Sequence, residues 1–151
     1  MRRFLVLLLV PALLIPAAAA IGAKSKPKAL QLRATSLGKV LVDSKKRTLY
    51  MLTADSKNSS SCSGACAANW PPAKAPSKPK VTSALKQSKL KVIKRSDGTK
   101  QLAYAGHPLY RFVGDSKPGD VNGQGINAFG GFWYVLAKSG KPVMASPASG
   151  Y

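Results

Sequence analysis

The chain is poor in the side chains that enzymes use for acid–base chemistry. It contains no glutamate, a single histidine, His107, and only five aspartates. General acid–base catalysis needs titratable groups that are positioned against one another, so few candidates exist. The motifs G-x-S-x-G and H-E-x-x-H and the P-loop are also absent from the sequence. We therefore predict that the protein is not an enzyme and has no cofactor.

Signatures of metal and haem sites are equally scarce. The sequence has no paired histidines and no C-x-x-C-H attachment site. His107 lies between a predicted turn and Pro108, which favours a surface or capping role. The alternative is that His107 is one ligand of haem or copper, with Met51, Met144 or a tyrosine as the second. We predict no metal site and keep His107 as a conditional ligand candidate.

A long hydrophobic run occurs only at the N-terminus. Arg2 and Arg3 precede the apolar stretch 4–15, and Pro16 with four alanines then forms a small-residue cleavage zone. This layout predicts a secretory signal peptide at residues 1–20. An uncleaved membrane anchor would need about 20 apolar residues, and two prolines and an alanine tail disfavour it. No cysteine lies near the cleavage zone, so we expect a secreted or cell-envelope protein without a lipid anchor or a transmembrane segment.

Only two cysteines occur, Cys62 and Cys66. In an exported chain an even cysteine count is most simply a disulfide, and positions i and i+4 of a helical turn lie close enough to be bridged. The alternatives are a metal pair, which would need further ligands, and a redox dithiol, whose motif is C-x-x-C. We predict a structural disulfide.

Acidic residues are far outnumbered by basic ones. Without Arg2 and Arg3, 22 of the 24 basic residues remain against five aspartates, a net charge of +17. Such a charge favours anionic surfaces, although a solvated, soluble surface explains it equally well. The segment from Lys74 to Lys100 holds nine basic residues and no aromatic one, which argues against binding of single-stranded nucleic acid. The predicted partners are anionic envelope polymers or a membrane surface, and we expect a monomer.

The most informative feature that the sequence does contain is an internal repeat. Residues 48–55 and 107–115 both include Leu-Tyr-x-apolar-x-x-Asp, and a tryptophan follows each copy, Trp70 and Trp133. The repeat predicts two related β units that share one core. It also predicts that the two tryptophans occupy related positions, each near its own Leu-Tyr strand.

Strands dominate the predicted structure, because no segment carries a sustained helical period. The fold class is all-β, a compact antiparallel sheet or barrel-like domain built from two hairpin or meander repeats, with at most one short helical turn. Asp97-Gly98 is a strong hairpin signal. The predicted strands are 39–42 and 47–53 in a first hairpin, 91–94 and 100–104 in a second, then 107–113, 132–136 and 142–144.

The composition along the chain predicts the domain boundaries. A basic segment rich in Lys and Pro precedes the first predicted strand, and a second one separates the repeats. The predicted units are a signal peptide at 1–20, a flexible basic leader at 21–35, a single domain at 36–145 with repeats at about 36–72 and 90–137 joined by a Pro/Lys-rich linker at 73–89, and a tail at 146–151.

Four residues of the repeated motif are the most site-like: Tyr50, Asp55, Tyr110 and Asp115. A strand that ends in a loop could bring a tyrosine hydroxyl and a carboxylate together to bind a ligand or a cation. A buried tyrosine also needs a hydrogen-bond partner, and an aspartate can brace a loop by accepting backbone N–H groups. Because the pair is duplicated, we favour an architectural brace over a ligand site.

The ordered motifs resemble a known family. They are Tyr-x4-Asp twice, Cys62-x3-Cys66-x3-Trp70-Pro71-Pro72, Asp97-Gly98-x-x-Gln101, Gly106-x-Pro108-Leu109-Tyr110 and Gly123-Gln124-Gly125. Over about residues 36–140 they resemble the bacterial lipoprotein repeat family, often labelled a secreted repeat of unknown function. The resemblance implies an exported envelope protein made of tandem repeats with no established activity. The chain departs from the family in lacking a lipobox cysteine and in having Lys46 where a turn glycine is common, which predicts a wider first hairpin.

These observations lead to two functional hypotheses. The first is an exported, non-enzymatic cell-envelope protein that associates electrostatically with anionic envelope polymers. The alternative is an extracytoplasmic ligand-binding or metal/haem-binding protein that uses the Tyr-x4-Asp pairs, His107 or the glycine-rich loop 119–131.

Overall fold

The computed structural model describes residues 28–145. The predicted signal peptide at 1–20, residues 21–27 of the predicted leader and the predicted tail at 146–151 lie outside the described residues. The elements, in chain order, are β1 (Leu30–Thr35), β2 (Gly38–Asp43), β3 (Tyr50–Leu52), α1 (Ala65–Asn69), a 3-10 turn (Gln87–Lys89), β4 (Leu90–Lys94), β5 (Lys100–Tyr104), β6 (His107–Pro108), β7 (Asn127–Ala128) and β8 (Gly131–Val135).

The strands form three antiparallel sheets, ordered β1-β2, β3-β8-β7 and β4-β5-β6. The all-β prediction is therefore confirmed. Besides the expected helical turn, which is α1, the chain has the 3-10 turn at Gln87–Lys89. Within residues 28–145 no helix is long and apolar enough to cross a membrane.

The hairpin predicted from Asp97-Gly98 is present as β4 and β5. The two strands pair in antiparallel register, with Leu90 opposite Tyr104. Gly98 has a φ of 80°, a conformation that glycine adopts without strain. The Asp97 carboxylate accepts hydrogen bonds from the N–H and the hydroxyl of Thr99 at 2.9 and 2.6 Å, and these bonds stabilise the turn.

The second strand of the first predicted hairpin pairs with β2 over a shorter length than expected. After β2 the returning chain bridges β2 between Val42 and Thr48, and β3 then pairs with β8. The Asp43 N–H donates to the Arg47 carbonyl at 2.9 Å, and Lys46 has a φ of 65°. This is a three-residue loop whose last position usually holds glycine. The predicted widening is wrong, because Lys46 adopts the left-handed conformation itself.

The structure corrects two of the predicted segments, the flexible leader and the linker. Residues 30–35, assigned to a flexible leader, form β1 and pair with β2 along their whole length. In the predicted linker, Ala73, Val81 and Leu85 are buried in the core. These apolar residues stand singly among lysines and prolines, so the average composition of each segment conceals them.

The two repeats exchange segments. β8 belongs to the second repeat but pairs with β3 of the first, with Leu52 opposite Trp133. In the same way, residues 70–75, at the end of the first repeat and the start of the predicted linker, lie beside the second repeat, where the Pro71 carbonyl accepts from the Arg111 N–H at 2.9 Å. We call residues 70–75 and β8 the Trp segments. Equivalent hydrogen bonds, from the Leu41 N–H to the Leu136 carbonyl at 2.9 Å and from the Leu102 N–H to the Ala73 carbonyl at 2.8 Å, relate the two repeats by an approximate two-fold axis.

Candidate functional site

The two repeated tyrosines meet on the approximate two-fold axis. Tyr50 begins β3, and Tyr110 follows β6. Their backbones form an antiparallel bridge in which the Tyr50 N–H donates to the Tyr110 carbonyl at 2.8 Å and the reverse bond measures 2.9 Å. Both residues are completely buried. The bridge fixes the position of each Tyr-x4-Asp motif relative to the other.

Each tyrosine hydroxyl donates to the aspartate of the other repeat. The Tyr50 hydroxyl lies 2.7 Å from Oδ2 of Asp115, and the Tyr110 hydroxyl lies 2.6 Å from Oδ2 of Asp55. The four predicted residues therefore come together, but as crossed pairs and not within one motif. Since the two motifs run antiparallel past each other, the loop that ends one motif lies against the tyrosine of the other.

The second oxygen of each carboxylate accepts hydrogen bonds from the loop that follows the aspartate. Oδ1 of Asp55 accepts from the N–H and the hydroxyl of Ser61, both at 2.8 Å. Oδ1 of Asp115 accepts from the N–H of Asn122 at 3.0 Å. Each aspartate thus joins the loop that follows it to the tyrosine of the other repeat.

Burial keeps both hydroxyls in the neutral form. It raises the pKa of Tyr50 and of Tyr110 far above the usual value, and the neighbouring carboxylates raise them further. Burial also raises the pKa of Asp115, although its hydrogen bond from Tyr50 opposes the rise. At neutral pH each tyrosine is therefore a hydrogen-bond donor to its aspartate and not a phenolate ligand.

A stack of aromatic rings packs against the crossed pairs. The indoles of Trp70 and Trp133 are parallel, with centroids 3.9 Å apart, and Phe112 stacks on the other face of Trp70 at 4.3 Å. Tyr50 meets Trp70 edge-on at 5.4 Å, and Tyr110 meets Trp133 at 5.2 Å. The prediction that each tryptophan lies near the tyrosine of its own repeat is confirmed.

Gly123 allows the glycine-rich loop to close over these rings. A side chain at this position would lie 2.7 Å from the Trp70 ring and 2.9 Å from Tyr50, which is too close for any carbon. The Gly123 N–H donates to the Tyr50 hydroxyl at 3.3 Å. The loop 119–131 is therefore packed against the core at this point.

A buried arginine that sequence reasoning missed joins the second hairpin to the cysteine loop. Arg95 is only 6% exposed and donates to the Cys62 carbonyl at 2.6 Å, to Ser60 Oγ at 2.8 Å and to Gln101 Oε1 at 2.8 Å. Gln101, also buried, donates to the Leu109 carbonyl at 2.8 Å. The signal that could have found Arg95 is its place two residues before Asp97 and six before Gln101 of the same motif.

The predicted disulfide is present. Cys62 and Cys66 are bonded, with Cα atoms 5.3 Å apart, and both are buried in the aromatic cluster with Trp70. Cys66 lies in α1, and its carbonyl accepts from the Trp70 N–H at 2.8 Å. The disulfide therefore constrains the residues that lead into the first Trp segment, residues 70–75.

His107 lies at the edge of the site in β6, opposite Tyr104. Partial burial lowers the pKa of its imidazole, and the charge of Asp55 opposes this. Of its proposed partners, Met51 is buried and Met144 is 69% exposed. Among residues 28–145 no three His, Cys, Asp or Glu side chains are grouped as a metal site would require.

Comparison with known proteins bears on the whole domain. No curated protein and no solved structure gives a significant match. A family model described as a secreted repeat of unknown function matches residues 32–74 and 91–137, the two units that the structure interlocks. The family description and the disulfide are consistent with an extracytoplasmic location. The chain belongs to this lipoprotein family of secreted repeats.

Proposed function

We propose that the protein is a non-enzymatic component of the cell envelope that binds anionic envelope polymers through a lysine-lined surface. The observation that carries the proposal is a surface depression of about 560 Å³. Four lysines line it, Lys39, Lys86, Lys89 and Lys138, and among the described residues no acidic side chain does. Lysines crowded in this way attract polyanions through long-range electrostatics.

The crossed Tyr–Asp pairs have an architectural role in this proposal. Their hydroxyls and carboxylates are hydrogen-bonded to each other and to their loops, which supports the brace interpretation. They hold together the two repeats, and both repeats contribute to the depression, with Lys39 from the first and Ala137 from the second, while Lys86 lies between them.

The test is binding of the purified protein to a polyglycerolphosphate polymer at increasing salt. The triple substitution Lys39→Gln, Lys86→Gln and Lys138→Gln removes three exposed charges from the depression. At anionic surfaces each basic residue contributes about 1 kcal/mol, so we expect affinity to fall by roughly two orders of magnitude at low salt. The matched control removes three exposed lysines of the β4–β5 hairpin by the substitutions Lys91→Gln, Lys94→Gln and Lys100→Gln. It should lower the affinity for the polymer much less.

Two results would overturn the proposal. One is an affinity that does not weaken between low and high ionic strength, since exposed charges are screened by salt. The other is a stoichiometric metal or haem in natively purified protein, detected by absorption spectroscopy and elemental analysis, which would favour the alternative function.

A further inference from the structure

Two arginines line the same depressions of the surface beside the first turn. Arg47 precedes the first Leu-Tyr strand, and Arg111 directly follows Tyr110 in the second repeat. Both line a cavity of about 410 Å³ and an adjoining one of about 260 Å³. The two-fold arrangement of the tyrosines brings these guanidinium groups, 64 positions apart in sequence, to one place.

Arg47 is held in position by a carboxylate. Its Nε and Nη2 lie 3.0 and 2.9 Å from Oδ2 of Asp43. Oδ1 of Asp43 in turn accepts from the backbone N–H groups of Lys45 and Arg47 at 2.8 and 3.0 Å. The turn thus fixes Asp43, and Asp43 fixes one edge of the Arg47 guanidinium.

Arg111 has no such counter-charge. Among residues 28–145 the ion pairs are Arg47–Asp43 and Arg95–Asp97, so no carboxylate there lies within 4.0 Å of Arg111. Partial burial and the nearby charge of Arg47 lower the pKa of Arg111, with Asp43 opposing. The fold holds a partly dehydrated cation beside a like charge, an arrangement that an anion between them would stabilise.

The remaining walls define the shape of a ligand. Lys74 adds a third positive charge to the larger cavity, in which Asp43 is the single acidic residue among the described lining residues, whereas Asp115 lines the smaller cavity. Apolar residues also line the larger cavity, among them Ala29, Ala73 and Leu102, all of them buried. Its volume falls within the range of roughly 300–1,000 Å³ typical of small-molecule sites. The planar guanidinium group matches the two oxygens of a carboxylate or a phosphate.

We propose that Arg47 and Arg111 form a binding site for a small organic oxoanion, a carboxylate or phosphate ester joined to an apolar group. The oxoanion lies between the two guanidinium groups, and the apolar group lies against Ala73 and Leu102. This site goes beyond the polymer-binding function and shares no residue with the lysine-lined depression. It requires a defined ligand and a 1:1 stoichiometry.

The test is isothermal titration of the purified protein with benzoate and with phenyl phosphate, with methyl benzoate as the uncharged control. We expect 1:1 binding of at least one anion and none of the ester. A preference between the two anions identifies the oxoanion. Arg111→Gln should weaken binding at least tenfold, whereas Lys94→Gln, an equal change of net charge at an exposed site, should leave it unchanged.

A second variant keeps the test decisive if Arg111→Gln fails to fold. Arg111→Lys retains the charge but lacks the planar fork, so it should also bind several-fold more weakly than the native protein. Equal affinities for Arg111→Lys and the native protein, equal effects of Arg111→Gln and Lys94→Gln, or no binding of either anion at millimolar concentration would overturn the proposal. Polymer binding by Arg111→Gln should match that of Lys94→Gln, which separates this site from the lysine-lined depression.

Discussion

The backbones of Tyr50 and Tyr110 donate hydrogen bonds to each other across the approximate two-fold axis of the protein. From this bridge the chain diverges symmetrically, so that the Leu49 N–H donates to the Leu41 carbonyl and the Leu109 N–H to the Leu102 carbonyl, both at 3.0 Å. The repeat in the sequence is therefore also a repeat of backbone hydrogen bonds. Its symmetry determines which tyrosine and which aspartate interact.

The crossed pairing can be tested with double-mutant cycles. We expect Tyr50→Phe and Asp115→Asn to be coupled by about 1–2 kcal/mol in the free energy of unfolding, since a hydrogen bond to a charged group contributes more than a neutral one. The matched control combines Tyr50→Phe with Asp55→Asn, the aspartate of the same motif, and should show a coupling near zero. Denaturant titrations followed by tryptophan fluorescence measure both. A larger coupling for the Tyr50–Asp55 pair would contradict the crossed arrangement.

Substitution of Arg95 should be strongly destabilising, because its side chain is buried and hydrogen-bonded. Arg95→Met leaves the Cys62 carbonyl, Ser60 and Gln101 without their buried donor, and we expect a loss of about 3 kcal/mol. The exposed neighbour provides the control, because Lys94→Met should change the free energy of unfolding by less than about 0.5 kcal/mol. Equal effects of the two substitutions in urea denaturation would show that Arg95 does not join the two repeats.

Lys46→Gly should stabilise the protein. Lys46 has a φ of 65°, a left-handed conformation that costs most residues about 1 kcal/mol but costs glycine little. The gain in the free energy of unfolding should be several tenths to about 1 kcal/mol, reduced by the greater freedom of glycine in the unfolded chain. Lys45→Gly, one position earlier in the same turn, is the control and should destabilise. A loss of stability for Lys46→Gly would contradict the turn geometry.

The single histidine gives a direct measurement of pH dependence. Partial burial holds the pKa of His107 below its usual value of 6.5, so the folded protein binds this proton more weakly than the unfolded chain does. The contribution of His107 to stability is therefore complete above pH 6.5 and is lost as the pH falls through the lower folded pKa. NMR titration of its ring protons should give a midpoint below 6.5, and a midpoint above that value would mean that an acidic partner dominates. In His107→Gln the part of the acid-induced loss of stability that is due to this group should disappear.

The disulfide should contribute locally. Replacing Cys62 and Cys66 by serine should lower the free energy of unfolding by about 2 kcal/mol without abolishing the fold, because the loop that the bond closes is short. Hydrogen exchange should accelerate most in the loop between Asp55 and Trp70. Thiol titration of the natively purified protein should detect no free thiol before reduction, and two titratable thiols would contradict the bridge.

Local signals predicted local structure well. The Asp97-Gly98 pair predicted the second hairpin, and the number and spacing of the cysteines, Cys62 and Cys66, predicted the disulfide. β1 was missed although Leu30 and Leu32 alternate with Gln31 and Arg33 as in a half-buried strand, because the basic composition upstream favoured a flexible leader. A short alternation of apolar and polar residues next to a charged segment is easily missed when structure is predicted from the average composition.

The partners of the tyrosines could not be predicted in the same way. Tyr50 and Asp115 are 65 positions apart, and Tyr110 and Asp55 are 55 apart. Because the two motifs are so alike, pairing within a motif and pairing between motifs look equivalent in the sequence. Only the direction in which the two strands pass each other decides between them. The same holds for Arg47 and Arg111, which the fold brings together although nothing in the sequence links them.

The exchanged Trp segments give this single chain the architecture of a symmetric homodimer. In such a dimer each subunit completes its partner's core with the same surface, as β8 completes the environment of Tyr50 and residues 70–75 complete that of Tyr110. The chain between the repeats keeps the two halves at a high effective concentration, so their association does not depend on how much protein is present. If that connection were cut, the same contacts would have to form between separate molecules, and the stability of the fold would then rise and fall with protein concentration.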